Sequence, residues 1–487
     1  MPHGLMRHLA SHPVARVAGN VLSLLTSDVL NRATTFLLYI LVAHYMDPHA
    51  FGQLSLALVL FYTFQVFSVF GLPTLITRAV AKDRTRTSTY WVHGSLLALL
   101  GSLISIALLS LFVRLMSYAT DTASIVLLLS LGLVPYALST VCESVVRGWE
   151  RMHLIALAHV PTNIAKVVVA YALLDRGAGL REVTLVLVGT RVAILLVIWA
   201  LLLREIGLPR VALDINMAVQ ITRSAATFLG IDALIAIWSS LSVVLLSKMA
   251  SETEAGLFNA AAQLLVPFTL LNQSITGSVF PLLCRQFGDS QAAATLKRIA
   301  DRLIEVLLIV AVPGALALFH LADSMLVLIY GNDQFGQAAT VLRILAATVV
   351  LKALTGSLGQ VLFASLRERL TLRIVIVDVI AAIVLSVTLI SRLGIVGAPI
   401  AVLLTKLIDF VQHYVPVARL LPKLSLGLLA WKSCLAALAM LGALALVKPQ
   451  NMAVIIPAGA GVYGIVLAGL IVLEHGGVRE FRARYLG

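Results

Sequence analysis

Charge is what this chain has least of. Only 12% of its 487 residues are Asp, Glu, Lys or Arg, against 60% hydrophobic. A soluble domain covers its core with about 25% charged residues, so a soluble fold is excluded. Cysteine is scarce too. Cys142, Cys284 and Cys434 stand at unrelated spacings in or beside apolar stretches, which suits neither a disulfide framework nor a zinc site and leaves them as packing residues. His44 and His93 are solitary and lack metal-ligand spacing. There is no phosphate-binding loop, nucleophile triad or cofactor fingerprint, so neither an enzyme nor a bound metal or cofactor is expected. The basic N-terminus runs into an apolar stretch that already holds Asp28, Asn31 and Arg32. No small-residue cleavage site follows, which argues against a cleaved signal peptide.

What is abundant is long apolar sequence. Runs of roughly 18–26 residues recur from end to end, each enough to cross a bilayer as helix. They do not alternate, which excludes barrel strands. The expected class is an all-α polytopic membrane protein with about fourteen transmembrane helices. Its longest connections fall between spans six and seven and between spans eight and nine, each about twenty residues. The largest outer loop is expected near residues 323–337, and Lys432 and Arg343 are read as snorkelling residues near span ends.

Lysine and arginine set the orientation. With both termini inside, cytoplasmic segments hold clusters such as Arg78, Lys82, Arg84 and Arg86, or Arg285, Lys297, Arg298 and Arg302. Outer loops hold only Arg114, Arg176, Arg181, Lys248, Arg392 and Lys448. The net charge of +13 is then loop topology and attraction to anionic lipid, with no nucleic-acid partner needed. An internal repeat sharpens the plan. "HAFGQLSLA" (49–57) resembles "EAGLFNAAA" (254–262), "GWERMHL" (148–154) resembles "LRERLTL" (366–372), and "VGTRVAIL" (188–195) resembles "LLTKLIDF" (403–410). Their common order and spacing predict two six-helix lobes, 1–208 and 209–420, with two more helices and a basic cytoplasmic tail in 421–487. Duplicated lobes of this kind form transporters with the site between them.

Basic residues inside the apolar runs are the candidate site. "VLVGTRVAILLVIWALLL" (186–203) places Arg191 roughly 13 Å into its span, near the midplane. Arg32, Lys166, Lys352 and Lys406 are also deep, as are the acids Asp28, Asp232, Asp378 and Asp409. Each unpaired charge costs at least about 2.5–3.5 kcal/mol at the bilayer centre, so each needs an acid, water or an anionic ligand. Asp28 with Arg32 (i,i+4) and Lys406 with Asp409 (i,i+3) share helix faces. Lys166, Arg191 and Lys352 have no acid within four residues. Either they pair across helices with Asp232 or Asp378, or they face a wet cavity and meet a phosphate-bearing substrate, which the planar fork of arginine suits. Asp232 and Asp378, lacking local cations, are candidates to bind a proton or sodium ion. Prolines 73, 135, 161, 267, 313 and 399 fall in or at the ends of spans, as kinks or hinges.

These residues resemble a known family. "ILVAHYMDPHAFGQLSLALVLFYTFQVFSVFGLPTLITRAVAK" (40–82) is similar to the opening of polysaccharide-repeat-unit flippases, the Wzx type. "RGWERMHLIALAHV" (147–160) and "GLFNAAAQLLVPFTLLNQSITGSVFPLL" (256–283) resemble later segments of the same family. The resemblance covers 17–420. It implies an alternating-access transporter that moves undecaprenyl-diphosphate-linked oligosaccharide across the cytoplasmic (inner) membrane for O-antigen or exopolysaccharide synthesis. It also implies a proton or sodium counter-ion, and polysaccharide polymerase and chain-length machinery as partners. The rivals are a lipid II flippase, a multidrug exporter of the same superfamily, and a membrane polymerase or ligase. An exporter of organic cations favours an acid-rich cavity, whereas the first lobe here is basic. A polymerase or ligase would need a large outer loop with an Arg/His cluster, which this sequence lacks.

Overall fold

An apolar run in lipid must close its backbone hydrogen bonds within itself, and the α-helix is the local form that does so. The computed structural model describes residues 13–210, 213–286, 292–365, 368–421, 424–446 and 452–474. It builds them into α-helices and short 3-10 turns, with no strand among the described residues. The chain divides into two compact units, Met1–Lys248 and Met249–Gly487.

The first unit contains α1 (Pro13–Tyr45), α2 (Pro48–Val69), α3 (Leu72–Lys82), α4 (Thr87–Leu115), α5 (Thr120–Ser130), α6 (Leu133–Gly148), α7 (His153–Asp175), α8 (Leu180–Ile206) and nearly all of α9 (Ile215–Met249). Helix α1 packs on α7, α7 on α8, and α6 on both α4 and α8. The repeat in the sequence draws a line at 208/209. In the structure Ile221 and Ala225 of α9 join a buried cluster with Ile198 and Leu202 of α8, on the first unit's side of the division.

The second unit contains α10 (Glu252–Gln263), α11 (Val266–Gln286), α12 (Ala292–His320), α13 (Ala322–Tyr330), α14 (Ala339–Ala364), α15 (Glu368–Leu393), α16 (Gly397–Leu420), α17 (Leu426–Leu446) and α18 (Met452–Glu474). Helix α14 packs on α12, α16 and α11, and α17 joins α12 to α18. Among the described residues, 11 helical stretches are long and apolar enough to cross a membrane, or up to 12 with the bent pair Glu252–Gln263 and Val266–Cys284. The longest stretch, Leu370–Leu420, spans both α15 and α16.

Several connections expected as loops are helical. The stretch after α2 forms α3, because Leu72, Ile76 and Val80 recur every fourth residue and are buried while Arg78 and Lys82 face outward. Phe70 (φ 49°) and Gly71 (φ 71°) are both left-handed and separate α3 from α2. The connection expected at about twenty residues before α9 shortens to 207–214, since α8 runs to Ile206 and α9 starts at Ile215. The expected outer loop at 323–337 folds as α13 and a 3-10 turn, and the Tyr330 hydroxyl donates to the Ala260 carbonyl at 2.8 Å. Several prolines open helices rather than kink them. Pro73, Pro135, Pro267 and Pro399 lie in the first turns of α3, α6, α11 and α16, where a missing N–H costs nothing. Pro161 and Pro313 are interior to α7 and α12.

Lys432 corrects the snorkelling assignment. It is 7% exposed and its Nζ donates to Glu305 Oε1 at 2.7 Å and to Glu474 Oε2 at 2.6 Å. Two acids from neighbouring helices make burial favourable where a lone lysine would reach for water. Arg343 pairs with Asp323.

Candidate anion-binding site

Polar side chains in an apolar helix first satisfy themselves on their own backbone. In the first unit Thr35 donates to the Asn31 carbonyl at 2.8 Å, Asn163 Nδ2 to the His159 carbonyl at 2.9 Å, and Thr190 to the Val186 carbonyl at 2.7 Å. This i−4 bonding uses the one hydroxyl donor of each threonine and one N–H of Asn163, and leaves oxygen lone pairs facing outward from the helix. Those oxygens receive Lys166. Its Nζ donates to Asn163 Oδ1 at 3.0 Å and to Thr35 Oγ1 at 3.4 Å, and the residue is only 5% exposed. One turn of helix sets the Asn163–Lys166 spacing, and the packing of α1 against α7 brings Thr35 to the amine.

Arg191 is held differently. Its guanidinium carbon lies over the ring of Phe61 on α2, 5.6 Å from the centroid, and over the ring of Tyr136 on α6 at 5.5 Å. Gly132, at the start of α6, leaves room for this. A Cβ there would meet Phe61 Cε2 at 3.3 Å and Arg191 Cγ at 3.7 Å. Among the described residues, no carboxylate lies within ion-pair distance of Arg191 or Lys166, and no hydrogen bond from the guanidinium is made. The buried acid of α6 is already engaged: Glu143, 8% exposed, meets His159 Nε2 at 2.8 Å and Arg147 Nη2 at 3.4 Å.

Lys166 and Arg191 line one cavity, together with Thr35, Asn163, Thr190, Phe61, Tyr62 and three leucines. Its volume is about 20 Å³, room for one water. The result is two cations at a water-sized space with hydroxyl and amide groups around them and, among the described residues, no acid between. Such a place favours an oxyanion, whose charge offsets both cations at once.

The other deep charges stand elsewhere. Lys352 on α14 donates to Thr269 Oγ1 at 3.1 Å, and its carbonyl accepts from Asn272 Nδ2 at 3.1 Å. Lys406 donates to Asp409 Oδ2 at 2.8 Å, the pairing expected from their i,i+3 spacing. Asp409 also meets His413 Nδ1 at 2.8 Å through Oδ1. Asp378 is buried at 2% and accepts from Gln412 Nε2 at 2.9 Å. Asp232 on α9 and Arg32 on α1 are exposed, and the Asp28 side chain lies outside the described residues. Sequence reasoning missed Phe61, Tyr136, Asn163 and Glu143. A signal existed for the third: His159, Asn163 and Lys166 recur at i, i+4 and i+7, one polar stripe on an otherwise apolar helix.

Comparison with known proteins sets this geometry in context. The family described as "Polysaccharide biosynthesis protein" matches residues 17–287, more than half of the chain. Two curated relatives come from Haloferax volcanii. "Probable flippase AglR" is 27% identical over 48% of this chain and 50% of its own length. "Probable low-salt glycan biosynthesis flippase Agl15" is 23% identical over 36% of this chain and 37% of its own length. The chain therefore spans half or less of the length of these relatives. Among solved structures, the lipid II flippase MurJ is similar with a TM-score of 0.75 at 13% identity, covering 93% of this chain and 99% of that one. That likeness shows a shared fold, and the family match shows more: the chain belongs to the polysaccharide biosynthesis protein family.

Proposed function

We propose that this chain is a transporter rather than an enzyme, a flippase that moves undecaprenyl-diphosphate-linked oligosaccharide across the cytoplasmic membrane by alternating access, for O-antigen or exopolysaccharide synthesis. The single observation that supports this reading best is the pair Lys166 and Arg191 at one cavity, with no acid beside them among the described residues. A diphosphate is the part of such a substrate that needs compensating cations inside lipid. The names of the two Haloferax volcanii relatives are consistent with it. In this reading Arg191, Lys166, Lys352, Arg32 and Lys406 are the candidates to bind the diphosphate headgroup. Asp232 and Asp378 are the candidates for a proton or sodium counter-ion. Fourteen spans, inside termini, and polymerase and chain-length partners accompany the same reading.

A second reading, transport of lipid II, draws on the likeness to MurJ. Export of organic cations is disfavoured, because two cations with no acid beside them among the described residues repel such cargo. The test is reconstitution into vesicles with three cargoes in turn: fluorescent undecaprenyl-diphosphate oligosaccharide, lipid II and a fluorescent organic cation. The parent protein flips the first. Arg191→Lys retains part of the rate, since it keeps the charge and loses the fork. Arg191→Ala and Arg191→Glu abolish flipping while the folded protein still inserts. Selective movement of lipid II establishes the second reading, and movement of the cation alone overturns both.

A further inference from the structure

Among the described residues of the first unit, Arg191 is the deep cation whose surroundings are aromatic. Lys166 rests on oxygen atoms, and Arg147 rests on Glu143. Arg191 rests on the faces of Phe61 and Tyr136, which lie 6.2 Å apart and tilted 73° to each other. A cation over a ring face is attracted by the ring quadrupole, and the attraction strengthens where water is scarce. This contact differs from an ion pair in one respect that matters for binding. A carboxylate occupies the N–H edges of a guanidinium, the same edges a phosphate needs. An incoming phosphate would have to displace the carboxylate and leave it stranded. A ring occupies no N–H and is not displaced.

We propose that Phe61 and Tyr136 are positioning residues for anion recognition. They hold the Arg191 guanidinium over the cavity by their ring faces and leave its N–H groups free for an oxyanion. The inference rests on the reading of this cavity as a headgroup site. Three features of the structure support it independently of the substrate's name. A Cβ at Gly132 would crowd the Leu129 carbonyl oxygen at 3.1 Å and Phe61 Cε2 at 3.3 Å, so glycine there lets the Phe61 ring keep its place. Phe61 is fully buried at 2% exposure, so its ring orientation is fixed by packing. Tyr136 stands about two turns from Glu143 on the same helix α6, yet Arg191 lies over the ring while Glu143 is held by His159 and Arg147.

The experiment uses full-length purified protein in lipid nanodiscs, with inorganic pyrophosphate as the probe and titration calorimetry as the readout. Phe61→Tyr and Tyr136→Phe keep ring faces and bind pyrophosphate within about twofold of the parent. Phe61→Leu and Tyr136→Leu keep apolar bulk without a face and bind on the order of 30-fold more weakly, the fold-change into which a desolvated cation–π contact converts. Leucine at these positions can disturb packing, so a second series holds shape constant. Phenylalanine analogues with one, two and three ring fluorines are incorporated at position 61, then at 136. Affinity falls stepwise with fluorine number if the ring quadrupole holds the arginine. A flat or rising series overturns the proposal even if the leucine variants are weak. Arg191→Ala separates this from the underlying reading. If it binds pyrophosphate as the parent does, the headgroup reading fails. If it loses binding while the fluorine series stays flat, the headgroup reading stands and the positioning role fails.

Discussion

His159 Nε2 and Glu143 Oε1 meet at 2.8 Å between α7 and α6, with Arg147 Nη2 at 3.4 Å from the other carboxylate oxygen. The acid is buried, so its removal strands a histidine and leaves the arginine beside apolar neighbours. Glu143→Ala is expected to lower unfolding free energy by about 2–4 kcal/mol. Replacing Glu143 and His159 together by leucine recovers the part of that loss that comes from the stranded histidine, while Arg147 stays without its acid. Equilibrium unfolding in mixed micelles of the two single variants and the double variant measures both effects. Additive losses in the double variant would show that the two residues are not coupled.

Lys166 has no carboxylate partner among the described residues, so its charge is expected to matter for cargo more than for folding. Lys166→Met leaves the unfolding midpoint at or above the parental value and reduces flipping at least tenfold, while Lys166→Arg is tolerated. A midpoint that drops with Lys166→Met would instead give the amine a structural role through Asn163 and Thr35.

Asp378 is buried and held by Gln412, whereas Asp232 is exposed. If either binds the counter-ion, its replacement by Asn weakens ion-driven flipping without loss of folded protein. The measurement is flipping rate in vesicles under imposed proton and sodium gradients. Parental rates in both variants under both gradients would make the two acids structural.

The topology is tested by thiol labelling in intact cells. Cysteines introduced at positions 119, 178, 252, 333 and 393 react with an impermeant reagent, and those at 84, 290 and 482 do not. The opposite pattern would invert the orientation and the direction of transport.

Lys432→Met removes the cation shared by Glu305 and Glu474. Because Glu474 is 44% exposed, solvent screens part of the loss, and destabilisation of about 3 kcal/mol at most is expected. Limited proteolysis should release a fragment containing α17 and α18 from this variant sooner than from the parent.

The helical membrane class was legible because long apolar runs admit few other structures, and the Lys406–Asp409 pair was legible because both partners share one helix. Arg191 and Lys166 stood out as charges without local acids. Their actual neighbours did not. Phe61 and Tyr136 reach Arg191 from α2 and α6, and aromatic residues in apolar helices look like ordinary packing until tertiary structure places a cation over them. The same limit hid Lys432, whose two acids lie on α12 and α18. Helix α3 lay hidden within a cytoplasmic segment because its eleven residues, Leu72–Lys82, are too short and too polar on one side to register as a span.

The Lys432 bridge also bears on how the protein is made. One partner, Glu305, is synthesised 127 residues earlier, and the other, Glu474, follows 42 residues later. A lysine entering the bilayer alone on α17 faces a penalty of about 2.5–3.5 kcal/mol. Glu305 on α12 is made before α17 and supplies one carboxylate, which Arg302 also contacts at 2.9 Å. Glu474 on α18 supplies the second, so the cluster of two cations and two acids balances only once α18 has been made, and a chain shortened before α18 would leave Lys432 and Arg302 sharing a single acid.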